Sequence, residues 1–210
     1  MRKNSGFTLA EVLITLGIIG VVASMTVPTI ITNVSNNVFA TRIKQVYSLL
    51  SSAVISYMAA NDLTEFSPSK VMDYSADSSD ISVNNLFKQS FSDVKTCYDP
   101  SPRCFAEMYT IDNLPITTYN DRRFWREGSS FLLRNGSAIS MVSVGGQDRF
   151  RLVVDVNNKG FPNRMGRDLW VLYLNKNGTL STDPGSDKTC NDDYNACLEQ
   201  LQNNNWKPDF

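Results

Sequence analysis

The chain has 210 residues, enough for one domain with an appendage. Its 20 basic and 21 acidic side chains give a net charge of −1, which excludes a general electrostatic affinity for nucleic acid. Histidine is absent, which rules out a Ser-His-Asp or Cys-His catalytic set and removes the commonest metal ligand.

Arg2 and Lys3 open the chain, and an apolar stretch follows over residues 7–31, in which Glu11 is the only ionisable side chain. At about 1.5 Å per residue this stretch is long enough to cross a hydrocarbon core about 30 Å thick. It is also longer than the apolar core of a secretory signal, about 7–15 residues. Basic residues ahead of the span predict a cytoplasmic amino terminus and an extracytoplasmic body. A carboxylate inside such a span is costly and calls for a partner or an interfacial position. Pro28 cannot donate to the carbonyl of Ser24, so a kink or local opening is expected there.

Phe39, Ile43, Val46, Leu50, Val54 and Tyr57 then recur at steps of three and four, one buried helical face. One helix is therefore expected over residues 7–60, stopped at Asn61-Asp62. At full length it would run roughly 80 Å. Residues 61–85 read as a polar surface connection and residues 84–94 as a short helix. Residues 97–128 read as irregular structure with a cluster at Arg122, Arg123, Phe124, Trp125 and Arg126.

Residues 130–134 and 137–144 flank Asn135-Gly136, a strong hairpin turn signal. Residues 150–156 and 169–174 give two more strands, the last ending at Asn177-Gly178. The expected sheet is an antiparallel meander with one face apolar enough to cover the helix. The predicted fold class is thus α+β: a long N-terminal helix, transmembrane in its first half, packed by its second half on a C-terminal antiparallel β-meander.

Between the last two strands, Asp155, Asn157 and Asp168 offer hard oxygen ligands of the kind calcium takes. An EF-hand is excluded, because Lys159 takes a ligand position and Gly166 stands where the bidentate Glu belongs. Asp and Asn also build turns through their own backbone, so a structural turn without metal is the expectation and calcium the alternative. No cofactor is expected.

The four cysteines form two pairs of equal spacing, Cys97 with Cys104 and Cys190 with Cys197. The gaps are wider than the about two to four residues usual between paired zinc ligands. An even number and local pairing suit disulfides in an oxidising compartment; of the three possible connectivities, the two local loops are expected.

Gly6-Phe7-Thr8-Leu9-Ala10-Glu11-Val12-Leu13 resembles the processing site of type IV prepilins and type II secretion pseudopilins. The shared features are a short basic leader ending in Gly, an aromatic residue after the cut, and Glu as the fifth mature residue. Pro28 also falls where many members of that family have a proline. The resemblance implies cleavage between Gly6 and Phe7 by a prepilin peptidase, then N-methylation of Phe7. It implies a pairing of Glu11 with the cationic amino terminus of an adjacent subunit, and a helix that can open near Pro28 during assembly. Loss of Arg2 and Lys3 with the leader would leave a side-chain charge of −3. Residues 155–168 weakly echo a loop of pilin-like proteins.

The expected organisation is a leader at 1–6, a transmembrane and assembly helix at 7–31, and an extracytoplasmic pilin-like domain at 32–210. The expected function is structural: a major or minor pilin, or a pseudopilin, of a type IV pilus or type II secretion-type filament. Implied partners are identical or homologous pilin subunits, the prepilin peptidase, the inner-membrane assembly platform and the lipid bilayer. The implied location is the bacterial inner membrane, as a single-pass protein, and then the filament. Two alternatives remain open on sequence: a competence-type pilin binding DNA through Arg122, Arg123 and Arg126, and an anchored enzyme or binding protein. Neither nucleic-acid binding nor catalysis is expected.

Overall fold

The computed structural model describes residues 6–66, 81–91, 93–97, 104–116, 129–143, 149–182, 189–190 and 193–208. The chain divides into two units, Met1–Val38 and Phe39–Phe210. Helix α1, Leu9–Ala60, contributes its first part to one and its remainder to the other.

In the first unit the helix is unbroken through Pro28. Its large apolar side chains, from Leu9 to Val38, are exposed. The hydroxyls of this stretch bond back to their own helix: Thr15 to the Val12 carbonyl (2.9 Å), Ser24 to Val21 (2.7 Å), Thr26 to Val22 (3.1 Å) and Thr32 to Pro28 (3.0 Å). Polar groups satisfied within one segment are what a hydrocarbon environment requires. The helix is long and apolar enough to cross a membrane by length and composition.

The second unit is built on a six-stranded antiparallel sheet in sequential order: β1 (Lys95–Cys97), β2 (Ser129–Leu132), β3 (Ala138–Ser143), β4 (Arg149–Asp155), β5 (Leu169–Asn175) and β6 (Leu180–Ser181). The turn between β2 and β3 is the Asn135-Gly136 turn read from sequence. Gly136 takes φ +85° and its N–H reaches the Leu133 carbonyl at 3.0 Å. A connecting helix α2 (Ile81–Ser90) and a last helix α3 (Cys197–Asn203), preceded by a 3₁₀ turn at Tyr194–Ala196, complete the unit.

The sheet is buried on both faces. Ile43, Val46, Leu50 and Val54 of α1 pack with Phe131, Ile139, Phe150, Leu152, Val154 and Leu172, joined by Leu86 and Phe87 of α2 and Leu198 and Leu201 of α3. Rings lock this layer: Phe87 stacks on Phe131 with centroids 4.1 Å apart, and Phe66 meets Phe150 edge-on at 5.5 Å. On the opposite face Val153, Leu169, Val171 and Tyr173 pack under Cys104, Phe105 and Met108. The second layer was not expected, since residues 97–128 read as irregular. The segment 104–116 has little regular structure, yet its side chains close the far side of the sheet. Its backbone is tied down by Tyr109 N–H to the Asn163 carbonyl at 2.9 Å and by Met165 N–H to the Tyr109 carbonyl at 3.0 Å.

Four other elements depart from the sequence reading. The short helix lies at Ile81–Ser90 rather than 84–94, because the backbone turns left-handed at Asp93 (φ +61°) and Lys95 begins β1. Strands β1 and β6 are edge strands of three and two residues, too short for a period to show. The carboxy-terminal region holds α3, and Trp206 beyond it meets Tyr47 of α1 edge-on at 5.8 Å.

Candidate functional site: the amino-terminal segment

Gly6, Phe7 and Thr8 precede α1 in non-helical backbone, and Phe7 is 90% exposed. Among the described residues, no atom beyond its chain neighbours lies within 4 Å of a side chain added at Gly6.

Thr8 and Glu11 form a reciprocal cap at the helix start. The Thr8 N–H donates to Glu11 Oε2 at 2.8 Å, and the Thr8 hydroxyl donates to the same oxygen at 2.8 Å. The Glu11 N–H donates to Thr8 Oγ1 at 3.3 Å. This arrangement satisfies orphan donors of the first turn and sets a negative charge at the positive end of the helix dipole. The sequence reading gave Glu11 only an intermolecular partner. The local one was legible as Thr-x-x-Glu before an apolar run.

Pro28 sits inside α1, where it leaves the Ser24 carbonyl without its usual backbone donor. Gly6, Phe7, Glu11 and Pro28 thus all lie in the first unit, three of them within the first turn and its approach.

Residues 1–27 match the model of the prokaryotic N-terminal methylation motif. This is the type IV pilin/pseudopilin signature. The methylation motif points to a structural protein that is processed by a prepilin peptidase and assembles with other pilins. With the apolar helix it fits a membrane-anchored single-pass protein. No curated protein and no solved structure matches the chain at significant similarity.

The remaining candidate residues lie in the second unit. Cys97 is joined to Cys104 and Cys190 to Cys197. Cys190 and Cys197 are buried in the main core, and Gly166 lies against them: a Cβ there would stand 2.8 Å from Cys197 Sγ and 2.9 Å from Cys190 Sγ. With φ +78°, Gly166 is a position where only glycine fits on both counts. Arg122, Arg123 and Arg126 lie outside the described residues.

The connection from β4 to β5 gathers Asp155, Asn157 and Asp168. Asp155 and Asp168 are both 0% exposed. Asp168 accepts the N–H of Asn163 at Oδ2 and that of Arg164 at Oδ1, each at 2.7 Å. Asp155 Oδ1 accepts the N–H of Asn157 at 3.0 Å. Burial pushes the Asp155 carboxyl up to about 8, and the charge of Asp168 adds to the effect against the opposing Asn157 N–H. Burial raises Asp168 too, opposed by the backbone N–H groups of Arg164, Asn163 and Asp168 itself and by the Asn157 side chain. Among the described residues no three His, Cys, Asp or Glu side chains cluster as a metal-ligand set.

Proposed function

We propose that this chain is a structural filament subunit, a pilin or pseudopilin, made as a precursor with a leader at residues 1–6. The prepilin peptidase cuts between Gly6 and Phe7, and the new Phe7 amine is methylated. Residues 7–31 anchor the subunit in the inner membrane, and the domain that follows, residues 32–210, lies on the extracytoplasmic side. The subunit then passes through the assembly platform into a type IV pilus or a type II secretion-type filament. The observation that carries this reading is the methylation motif at residues 1–27, set on a helix whose large apolar side chains are exposed from Leu9 to Val38.

The physics of Glu11 supports the assembly step. In the single chain its carboxylate is held by Thr8, so it need not be bare in the bilayer. Cleavage at Phe7 creates a cation near the start of the helix. A neighbouring subunit's amine can then compete for Glu11, and a charge pair in a low-dielectric setting is a credible register device even where its net stability is small. Opening of the helix near Pro28 would let subunits pack more closely, because the Ser24 carbonyl already lacks its donor.

The test is incorporation of Glu11→Ala into isolated filaments. The variant should be cleaved and inserted as the wild type is, and should be strongly depleted from filaments. Normal incorporation would remove the pairing role.

A further inference from the structure

The register of the sheet gives the second unit two ends. At one end Ala138, Asp155 and Leu169 stand side by side, and the Arg42 guanidinium of α1 donates to the adjoining Val156 carbonyl at 3.3 Å. At the other end the Phe66 N–H donates to the Lys176 carbonyl, and Gly178 packs on Met58. The second unit begins at Phe39, less than one turn before Arg42, so the first end is the one at which α1 enters from the apolar stretch.

Charge at this end is sorted by burial. Asp155 and Asp168, which bracket the loop between β4 and β5, are fully buried. Lys159 of that loop is exposed, and Arg164 and Arg167 are half-exposed. None of these three cations, nor Arg42, has an ion-pair partner among the described residues. Lys95 and Arg134 belong to the same end, because Lys95 pairs with Leu132 and Leu132 with Ala138. The solvent-reaching carboxylates that border it are Asp93, which meets Arg134 at 3.8 Å, Glu107 and Asp112 of segment 104–116, and Asp193, whose Oδ1 accepts two donors from Asn195. The cations outnumber them, although the chain as a whole is net negative. Phe161 stands in sequence between Lys159 and Arg164 and is 86% exposed.

An exposed ring among unpaired cations suits the boundary between lipid and water, where the ring enters the acyl edge and the cations meet phosphate. Position selects this anion over others. Residues 32–38, between the apolar stretch and Phe39, are helical and advance about 10 Å. The headgroup layer itself occupies about 5–8 Å beyond the hydrocarbon. Side chains at this end are therefore within a Debye length, about 8 Å, of the lipid surface.

We propose that the loop of residues 156–168, together with Arg42, docks on anionic phospholipid headgroups of the leaflet from which α1 emerges, with the Phe161 ring set into the interface. This rests on the membrane anchoring proposed above and adds lipid charge as what the domain recognises. Each cation near an anionic surface strengthens such a contact about fivefold. The contact is then strong only while the helix holds the domain at the membrane, and it releases when the subunit leaves for the filament.

The experiment uses the full chain in vesicles of pure phosphatidylcholine or pure phosphatidylglycerol. All four cysteines are in disulfides, so an environment-sensitive fluorophore labels a single introduced cysteine. On Phe161→Cys the emission should shift to the blue and brighten in phosphatidylglycerol only, and the change should vanish in about 1 M salt, where the Debye length is about 3 Å. On Lys176→Cys, at the opposite end, it should not change. Adding Lys159→Gln, Arg164→Gln and Arg167→Gln to the Phe161→Cys chain should lower the docked-to-undocked ratio on the order of a hundredfold. Equal signals in the two lipids, or an equal response from Lys176→Cys, overturn the docking. A signal that grows with protein density whatever the lipid charge assigns the loop to a second copy, and overturns it too. The comparison of lipids and salt decides the matter even if the triple variant folds poorly. Failure of the unlabelled chain to float with phosphatidylcholine vesicles would sink the anchoring reading instead, and a phosphatidylglycerol-dependent signal would still support the lipid contact.

Discussion

Ile14 and Ile43 share a side chain and a helix, yet Ile14 is 63% exposed and Ile43 is 0% exposed. In the second unit the apolar positions of α1 fall in a stripe, and the chain supplies a sheet to cover them. In the first unit they lie on all sides, and no described residue of that unit covers them. An apolar stripe is completed inside the protein; an apolar cylinder needs a medium, lipid or other subunits. The two stretches should therefore respond to mutation in different assays.

The largest contrast comes from charge. Ile43→Asp would bury an unpaired carboxylate, a cost of several kcal/mol and comparable with the whole stability of a domain, about 5–15 kcal/mol. The expected result is loss of the cooperative unfolding transition by circular dichroism, and a folded variant would break the comparison. Ile18→Lys should leave that transition intact and instead cost about 3 kcal/mol of membrane insertion, read as a fall in the membrane-inserted fraction.

The bridges sharpen the picture within the second unit. Replacing Cys190 and Cys197 by Ser should cost about 2–4 kcal/mol by chemical denaturation. The same change at Cys97 and Cys104 should cost less, because Cys97 is half-buried while Cys197 is fully buried under Gly166. Equal losses would mean that burial of the bridge is irrelevant. The smallest effect is at the helix start. Thr8→Ala removes the reciprocal cap and should cost about 1 kcal/mol of local helix stability, seen as faster hydrogen exchange of the first-turn amides with no change in global unfolding.

Much of this was legible because the signals were long or strongly punctuated. The heptad-like stripe from Phe39 to Tyr57 placed the packed part of α1, and Asn135-Gly136 fixed a hairpin. The far layer of the sheet was not read, although β5 runs Leu-Trp-Val-Leu-Tyr-Leu without a polar break, the pattern of a strand buried on both faces. Its cover, residues 104–116, has no period because its backbone is irregular and only its side chains pack. At the amino terminus, Gly6, Phe7 and Glu11 were recognisable by their resemblance to a prepilin processing site, and the Thr8 cap was legible in the same residues as Thr-x-x-Glu though it was not read. The loop at residues 155–168 was visible as a ligand-rich sequence, but the sorting of its charges, with Asp155 and Asp168 inward and Lys159 outward, depends on burial, which composition does not report.

The most direct measurement is mass spectrometry of the mature amino terminus from membranes or isolated filaments. A chain beginning at N-methylated Phe7 is the predicted result. An intact Met1, or a chain cut after the apolar stretch, would contradict the account.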